Sequence, residues 1–284
     1  MRSSEVESPA ALRAVSVRRV AETLAAPDLI EPAFQPILSL ATGVVVGYEA
    51  LSRFLTRPVR SPARWFAAAT QVGKGARLQA LAIERILTVV GRTGMPAETF
   101  LSVNVSPRYL AHPAIAAALA SIDPASLVIE ITEEEEVNDY DGLRAAIVPY
   151  LRKGVRFAVD DAGAGFASMR HITELGPAFV KLDASLVRGL RSRRTLQAFL
   201  RAIHSFTNEI GATLIAEGVE GVRDLTGLTR TGLPLLAQGF AITRPGPAWP
   251  EMSPAARRTW LTAGRDRPTD DGALIAGSSC LQRR

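Results

Sequence analysis

FQPILSLATGVVVGYEAL, residues 34–51, consists of two apolar runs, Phe34–Leu40 and Val44–Leu51, joined by Ala41, Thr42 and Gly43. Short runs of this kind linked by a brief glycine-containing connection read as an antiparallel β-hairpin. Beyond Leu51 the pattern changes. Six more strand-like runs follow, at Thr99–Val105, Leu127–Ile131, Arg156–Asp160, Phe179–Leu182, Ala212–Ala216 and Leu235–Phe240. Segments of helical period fill the gaps: Pro62–Gly91 broken near Gly73 and Gly75, then Pro113–Ser121, Tyr140–Lys153, Phe166–Glu174, Arg193–Ile210 and Gly221–Thr231. Eight strands alternating with helices over about 220 residues predict a (β/α)8 barrel with an irregular antiparallel entry strand. A doubly wound open sheet is the alternative that shares this alternation.

The 284 residues suffice for one large domain, and the composition, 47% hydrophobic and 21% charged, is that of a globular chain. No apolar run is long enough for a membrane span. The single cysteine, Cys280, allows neither an internal disulfide nor a cysteine metal site. With no basic-then-apolar leader in the sequence, a cytoplasmic location is expected. The formal charge of +5 resides in the flanks: residues 1–20 hold four Arg and two Glu, and residues 254–284 hold six Arg and three Asp. The body is neutral, which argues against a DNA or RNA duplex as partner. Residues 1–27 are expected to form a segment with one amphipathic helix, Ala10–Ala25, residues 28–252 the folded domain, and residues 253–284 a basic, flexible tail.

Barrels of this class carry their chemistry at the C-terminal ends of the strands. Reading those ends in turn gives Glu49, Asn104, Glu130 with Glu133, Asp160 with Asp161, Lys181 with Asp183, Glu217 with Glu220, and Gln238. Oxygen ligands from Asp, Glu and Asn, without His or Cys, suit hard cations such as Mg²⁺ or Mn²⁺. The three histidines, His112, His171 and His204, fit surface or core packing better than ligation. Adjacent strand residues face opposite ways unless the chain turns, and Gly163 and Gly165 are expected to provide the turn that lets Asp160 and Asp161 share the mouth. Such a pair, bridged by other carboxylates, would hold two divalent ions roughly 3.5 to 4 Å apart, as in-line attack on phosphorus requires. A glycine-rich turn with an Asp helix cap is the plainer reading of the same residues.

Lysine is scarce, with Lys74, Lys153 and Lys181 set against 30 arginines. A strand-end lysine in such a chain implies a need for a compact ammonium, able to orient a nucleophile and offset developing charge. A salt bridge to Asp183 or Glu217 is the alternative.

At these residues the chain resembles the EAL-domain cyclic di-GMP phosphodiesterases. The resemblance rests on YEALSR (48–53), FQPI (34–37), SVNVSP (102–107), IEITE (129–133), DDAGAGFAS (160–168), VKLD (180–183), AEGVE (216–220) and QGF with Pro245, in order through residues 28–248. It implies a modified TIM barrel with one antiparallel strand, and metal-dependent hydrolysis of cyclic di-GMP to linear pGpG. It further implies that Glu49, Asn104, Glu130 and Asp160 bind one metal and that Asp160 with Asp161 bridges to a second. Glu217 matches the catalytic glutamate. Lys181 would contact the nucleophilic water with support from Asp183, while Gln35, Leu51, Arg53, Asp183, Gln238 and Pro245 would serve the dinucleotide pocket. The planar fork of Arg53 suits a phosphate clamp, with pairing to Glu49 as the alternative. Glu133 matches a residue that couples the metal loop to a homodimer interface, and helix-start capping explains it equally.

Two departures bear on activity. DDAGAGFAS stands where DDFGTGYSS is usual, so Ala162, Ala164, Phe166 and Ala167 replace a Phe, a Thr, a Tyr and a Ser. GLPLLAQG is one residue longer than usual and lacks an acidic residue before Gln238. They keep open a second function, a catalytically weak or inactive cyclic di-GMP receptor that signals through a protein partner. With no recognisable cyclase or sensor segment before the barrel, regulation is expected from a partner, a dimer equilibrium or the N-terminal helix.

Overall fold

The computed structural model describes residues 9–56, 61–132, 137–163 and 167–265. Helix α1 (Pro9–Ala25) precedes strand β1 (Ile30–Ser39), which returns through Gly43 into β2 (Val45–Phe54). Then come α2 (Pro62–Gln71), α3 (Gly75–Thr93), β3 (Phe100–Asn104), α4 (Pro113–Ala118), β4 (Leu127–Thr132), α5 (Tyr140–Leu151) and β5 (Arg156–Ala162). The remainder is α6 (Ala167–Leu175), β6 (Phe179–Leu182), α7 (Ala184–Val187), α8 (Arg194–Glu209), β7 (Thr213–Ala216), α9 (Val222–Arg230), β8 (Leu236–Ala237) and α10 (Pro254–Gly264).

The eight strands close into a barrel in sequence order. β1 runs antiparallel to both neighbours, β2 and β8, and every other neighbouring pair is parallel. This is the modified TIM barrel with its antiparallel entry strand. Pairing of Leu38 with Ala237 and of Ser39 with Leu236 closes the ring and excludes the open sheet.

Period-two alternation sorts the barrel interior into layers. Ile37, Phe100, Val128, Ala158, Phe179 and Ile215 pack together as an apolar floor, with Leu236 against them. Two residues further toward the mouth on each strand stand Gln35, Ser102, Glu130, Asp160, Lys181, Glu217 and Gln238. On β2 the same step leads from Gly47 to Glu49. A Cβ on Gly47 would lie 2.6 Å from the Phe100 ring, so glycine there leaves Phe100 room to fill the floor. Below it, the Arg156 guanidinium lies 5.1 Å from the Phe100 ring centroid and 5.3 Å from that of Phe179. The mouth thus rests on a dry, close-packed base.

The strands differ from the sequence reading mainly at their ends. β1 begins at Ile30 because the strand continues to pair, Ile30 opposite Phe54. β8 stops at Ala237, since Gly239 (φ 156) lets the chain approach the Val219 backbone, where a Cβ would sit 2.3 Å from the carbonyl oxygen. At the flanks, the helix expected over Ala10–Ala25 forms as α1, and the C-terminal segment departs from expectation. α1 packs Val20 against Ile30, Phe54, Trp65 and Leu78 and so joins the helical shell. Residues Pro254–Gly264, expected within a flexible tail, form α10, with Ser253 accepting from the Ala256 amide as N-cap. The composition concealed it because one large side chain anchors the helix: Trp260 donates to the Leu40 carbonyl at 2.8 Å and lies against Gly43.

Removing that anchor in Trp260→Ala loses a hydrogen bond and a half-buried indole, and is expected to lower stability by about 2 kcal/mol. Urea unfolding measures it, and a midpoint unchanged from wild type would show that α10 contributes nothing to the barrel.

Candidate metal and phosphodiester site

Each of the eight strands delivers a polar side chain to the layer above the floor, and one cation organises them. Lys181 on β6 is 1% exposed. Its Nζ lies 2.7 Å from Glu217 Oε1, 2.9 Å from Glu130 Oε2, 3.1 Å from Asp160 Oδ1 and 3.7 Å from Glu49 Oε2. An ammonium has three donors in a tetrahedral array, and here three carboxylates receive them. A planar guanidinium does not match that arrangement, which explains a lysine in an arginine-rich chain.

Neutral donors hold the carboxylates from outside. Asn104 Nδ2 donates to Glu49 Oε1 at 3.0 Å, leaving the amide oxygen as the atom available to a cation. Gln238, 2% exposed, donates from Nε2 to the other Glu49 oxygen and to Gln35 Oε1 at 3.1 Å. Gln35 in turn donates to the Thr243 carbonyl at 3.3 Å. Ser102 Oγ donates to Glu130 Oε1 at 2.6 Å.

Asp161 reaches the mouth by its own backbone. Its φ of 54° is in the left-handed region, which aspartate tolerates better than most residues. The turn expected from the glycines therefore begins at Asp161 itself, followed by Gly163 at φ 101; Gly165 is outside the described residues. Asp160, Asp161 and Glu217 each offer an oxygen, all within 4.8 Å of one another. Asp160 is engaged otherwise than as the helix cap of the plainer sequence reading: its Oδ1 accepts from the Asp161 amide at 3.0 Å and faces Lys181.

The charges do not balance. Five carboxylates, Glu49, Glu130, Asp160, Asp161 and Glu217, share one ammonium. Burial pushes the Glu130 carboxyl up to about 8, against the pull of Lys181, with Glu49 and Asp160 adding to the rise. Burial likewise raises Glu217 well above the carboxylate range. For Lys181, burial works against the charged form, but Asp160, Glu130, Glu217 and Glu49 outweigh it and hold the ammonium well above its ordinary value. An excess of hard oxygen donors under such repulsion, with a free amide oxygen beside them, fits divalent cations.

Beside Asn104 opens a cavity of about 780 Å³ between β2, β3 and α2, lined by Leu51, Arg53, Phe66, Arg108 and Pro245 among others. Its size is that of a small-molecule site. Arg53 is exposed and donates to the Pro245 carbonyl at 2.7 Å, so it is free of Glu49, the partner the alternative gave it. Asp183 departs from expectation. The chain leaves β6 at Leu182, and Asp183 caps α7 by accepting from the Ser185 amide at 2.9 Å. Burial raises its carboxyl, but hydrogen bonds from Ser185 and Ala184 and the charge of Arg188 bring the net shift downward. Glu220 pairs with Arg188 at 2.5 Å, also outside the cluster. Glu133 is outside the described residues. His112 caps α4, His171 packs buried beside Tyr140, and His204 sits half-buried on α8, so none of the three enters the site. Ser102 escaped the sequence reading; its only signal was position, two residues before Asn104 on the same strand face.

Residues 18–245 match the family described as EAL domain. A Caulobacter vibrioides protein named an uncharacterized signaling protein is 29% identical over 253 residues, covering 86% of this chain and 30% of that protein. PdeI of Escherichia coli K12, named a probable cyclic di-GMP phosphodiesterase, is 29% identical over 236 residues, covering 76% of this chain and 29% of PdeI. The matched region spans 29% to 40% of the length of the curated relatives. Klebsiella pneumoniae BlrP1, solved with manganese and cyclic di-GMP at pH 9.0, is similar with a TM-score of 0.66 and 29% identity, covering 77% of this chain and 56% of BlrP1. Among the described residues no helix is long and apolar enough to cross a membrane.

Without metal, Glu130 keeps its proton to about 8 in the folded chain and loses it near 4.5 when unfolded. The folded state binds more protons between these values, so its stability falls as pH rises through that window. The melting temperature of chelator-treated protein is expected to drop between about pH 4.5 and about pH 8, and saturating Mn²⁺ to remove the drop. A chelated protein whose melting temperature rises with pH would contradict the crowded-carboxylate account.

Proposed function

Because the chain belongs to the EAL domain family, we propose that it is a divalent-metal-dependent phosphodiesterase that hydrolyses cyclic di-GMP to linear pGpG. The observation that carries this is the mouth itself: five carboxylates and an amide around one buried ammonium, beside a cavity of small-molecule size. The names of PdeI and the manganese complex of BlrP1 support the same substrate and cofactor class.

In this reading Glu49, Asn104, Glu130 and Asp160 would hold one Mg²⁺ or Mn²⁺, and Asp160 with Asp161 would hold a second. Divalent ions held there would offset phosphoryl charge and lower the pKa of a bound water toward neutrality. The chain's residues supply the remainder. Lys181 fixes the carboxylate frame and orients the attacking water through Glu217, which it holds at 2.7 Å, and Glu217, whose oxygen stands beside those of Asp160 and Asp161, receives the water's proton. Arg53 takes phosphoryl oxygens at the cavity edge, with Leu51 and Pro245 as apolar walls for the nucleotide. The water oxygen bonds to phosphorus, the bond from phosphorus to the ribose 3′ oxygen breaks, and that oxygen gains a proton. The product carries a 5′-phosphate. Gln35 and Gln238, expected as pocket residues, serve here through Glu49, which they hold in place. Asp183 supports Lys181 only through the chain, as the cap that ends β6.

Chromatography of cyclic di-GMP incubated with protein and Mn²⁺ tests the proposal. Wild type is expected to accumulate pGpG, Glu49→Ala and Asp160→Ala to give none, and Glu217→Gln to lose roughly 10²- to 10⁴-fold in kcat. Substrate that binds in calorimetry yet stays intact with both Mn²⁺ and Mg²⁺ would instead make the chain a cyclic di-GMP receptor, the role that the altered loop after Asp161 would permit.

A further inference from the structure

Glu130 is completely buried, and both of its oxygens are committed. Oε2 faces the ammonium of Lys181, which it shares with Asp160, Glu217 and Glu49. Oε1 accepts from Ser102 Oγ at 2.6 Å, and Ser102 itself is 1% exposed. A hydroxyl has one proton to give, and here it goes to Glu130. Ser102 stands opposite Glu49 in the β2–β3 register, and Asn104, two residues on, stands opposite Glu130. The serine is therefore wedged between two strands that each bring a carboxylate to the mouth, yet it serves only one of them.

We infer that Ser102 is a positioning residue for divalent-cation binding, acting by fixing the plane of the Glu130 carboxylate. Anchored at one oxygen by Lys181 alone, the group would swing with an ammonium that answers to three other carboxylates. The Ser102 bond at the second oxygen removes that freedom and leaves each oxygen a lone pair in a set direction. Partners outside a metal's ligand shell commonly contribute 10- to 100-fold to affinity in this way. Removal of the hydroxyl takes from Glu130 Oε1 the donor that Ser102 provides.

The inference rests on the reading of the mouth as a cation site, so the test measures binding of Mn²⁺ alone, without nucleotide. Free Mn²⁺ is titrated by its electron paramagnetic resonance signal against wild type, Ser102→Ala, Ser102→Cys and Ser102→Thr. The Ala and Cys variants, which lack a strong donor, are expected to bind Mn²⁺ about 10- to 100-fold more weakly, and Thr, which retains the hydroxyl, to recover most of the affinity. In turnover, the Mn²⁺ concentration for half-maximal rate rises by a similar factor while kcat at saturating metal stays within about threefold of wild type. A folded Ala or Cys variant with unchanged Mn²⁺ affinity overturns the inference; Cys, close to serine in shape, keeps the test decisive where Ala fails to fold. Wild type that binds Mn²⁺ without hydrolysing cyclic di-GMP removes the proposed activity and leaves this inference to the binding data. Wild type that binds no Mn²⁺ removes both.

Discussion

One lysine among too many carboxylates is the constraint on which the rest of the structure depends. Four carboxylate oxygens lie within 3.7 Å of Lys181 Nζ, and a fifth carboxylate, on Asp161, stands beside them. In a buried layer the mutual repulsion of these groups is only weakly screened, and a single ammonium does not cancel it. The barrel tolerates the imbalance because the layer beneath is apolar and close-packed, and because the strands hold their partners in fixed register. Each carboxylate is thereby kept where relaxation would otherwise disperse it. Stability is given up locally, and the strain is retained at the place where a cation relieves it.

The antiparallel first strand has a part in this. Reversal of β1 places Gln35 beside Gln238 at the seam where the ring closes, and Gln238 reaches from there to Glu49. A parallel strand in the same position would run its side chains in the opposite order, with the residue two before Ile37 below the floor instead of above it. The hairpin thus joins the seam of the barrel to the orientation of Glu49.

Most of the site was legible in the sequence because inward positions recur every second residue. Glu49, Asn104, Glu130, Asp160, Lys181, Glu217 and Gln238 all share that phase, and the structure gathers them. The misreadings occur where the phase ends. Asp183 has the right parity after Phe179 and Lys181, but the strand stops at Leu182 and the carboxylate turns into a helix cap. Asp161 has the wrong parity but was read correctly at the mouth, because a turn was expected there; the left-handed backbone of Asp161 itself begins that turn. Ser102 carried the right parity but not the expected chemistry, since a strand serine does not announce a buried hydrogen bond. Helix α10 was hidden because its attachment depends on Trp260 in an otherwise polar segment, too small a signal for composition to register.

The identity of the groups that hold the carboxylates follows from charge. The chain has 30 arginines, yet the layer is fixed by Asn104, Gln238, Ser102 and a single lysine. Amides and hydroxyls orient a carboxylate without neutralising it. Each further cationic side chain would have satisfied the same oxygens at lower electrostatic cost, and each would have subtracted from the charge available to an incoming divalent ion. Neutral donors give order without that loss. A layer pinned by amides and a hydroxyl, with one ammonium to set its geometry, stays both organised and electron-rich, and that combination separates a metal site from an ordinary buried ion-pair network.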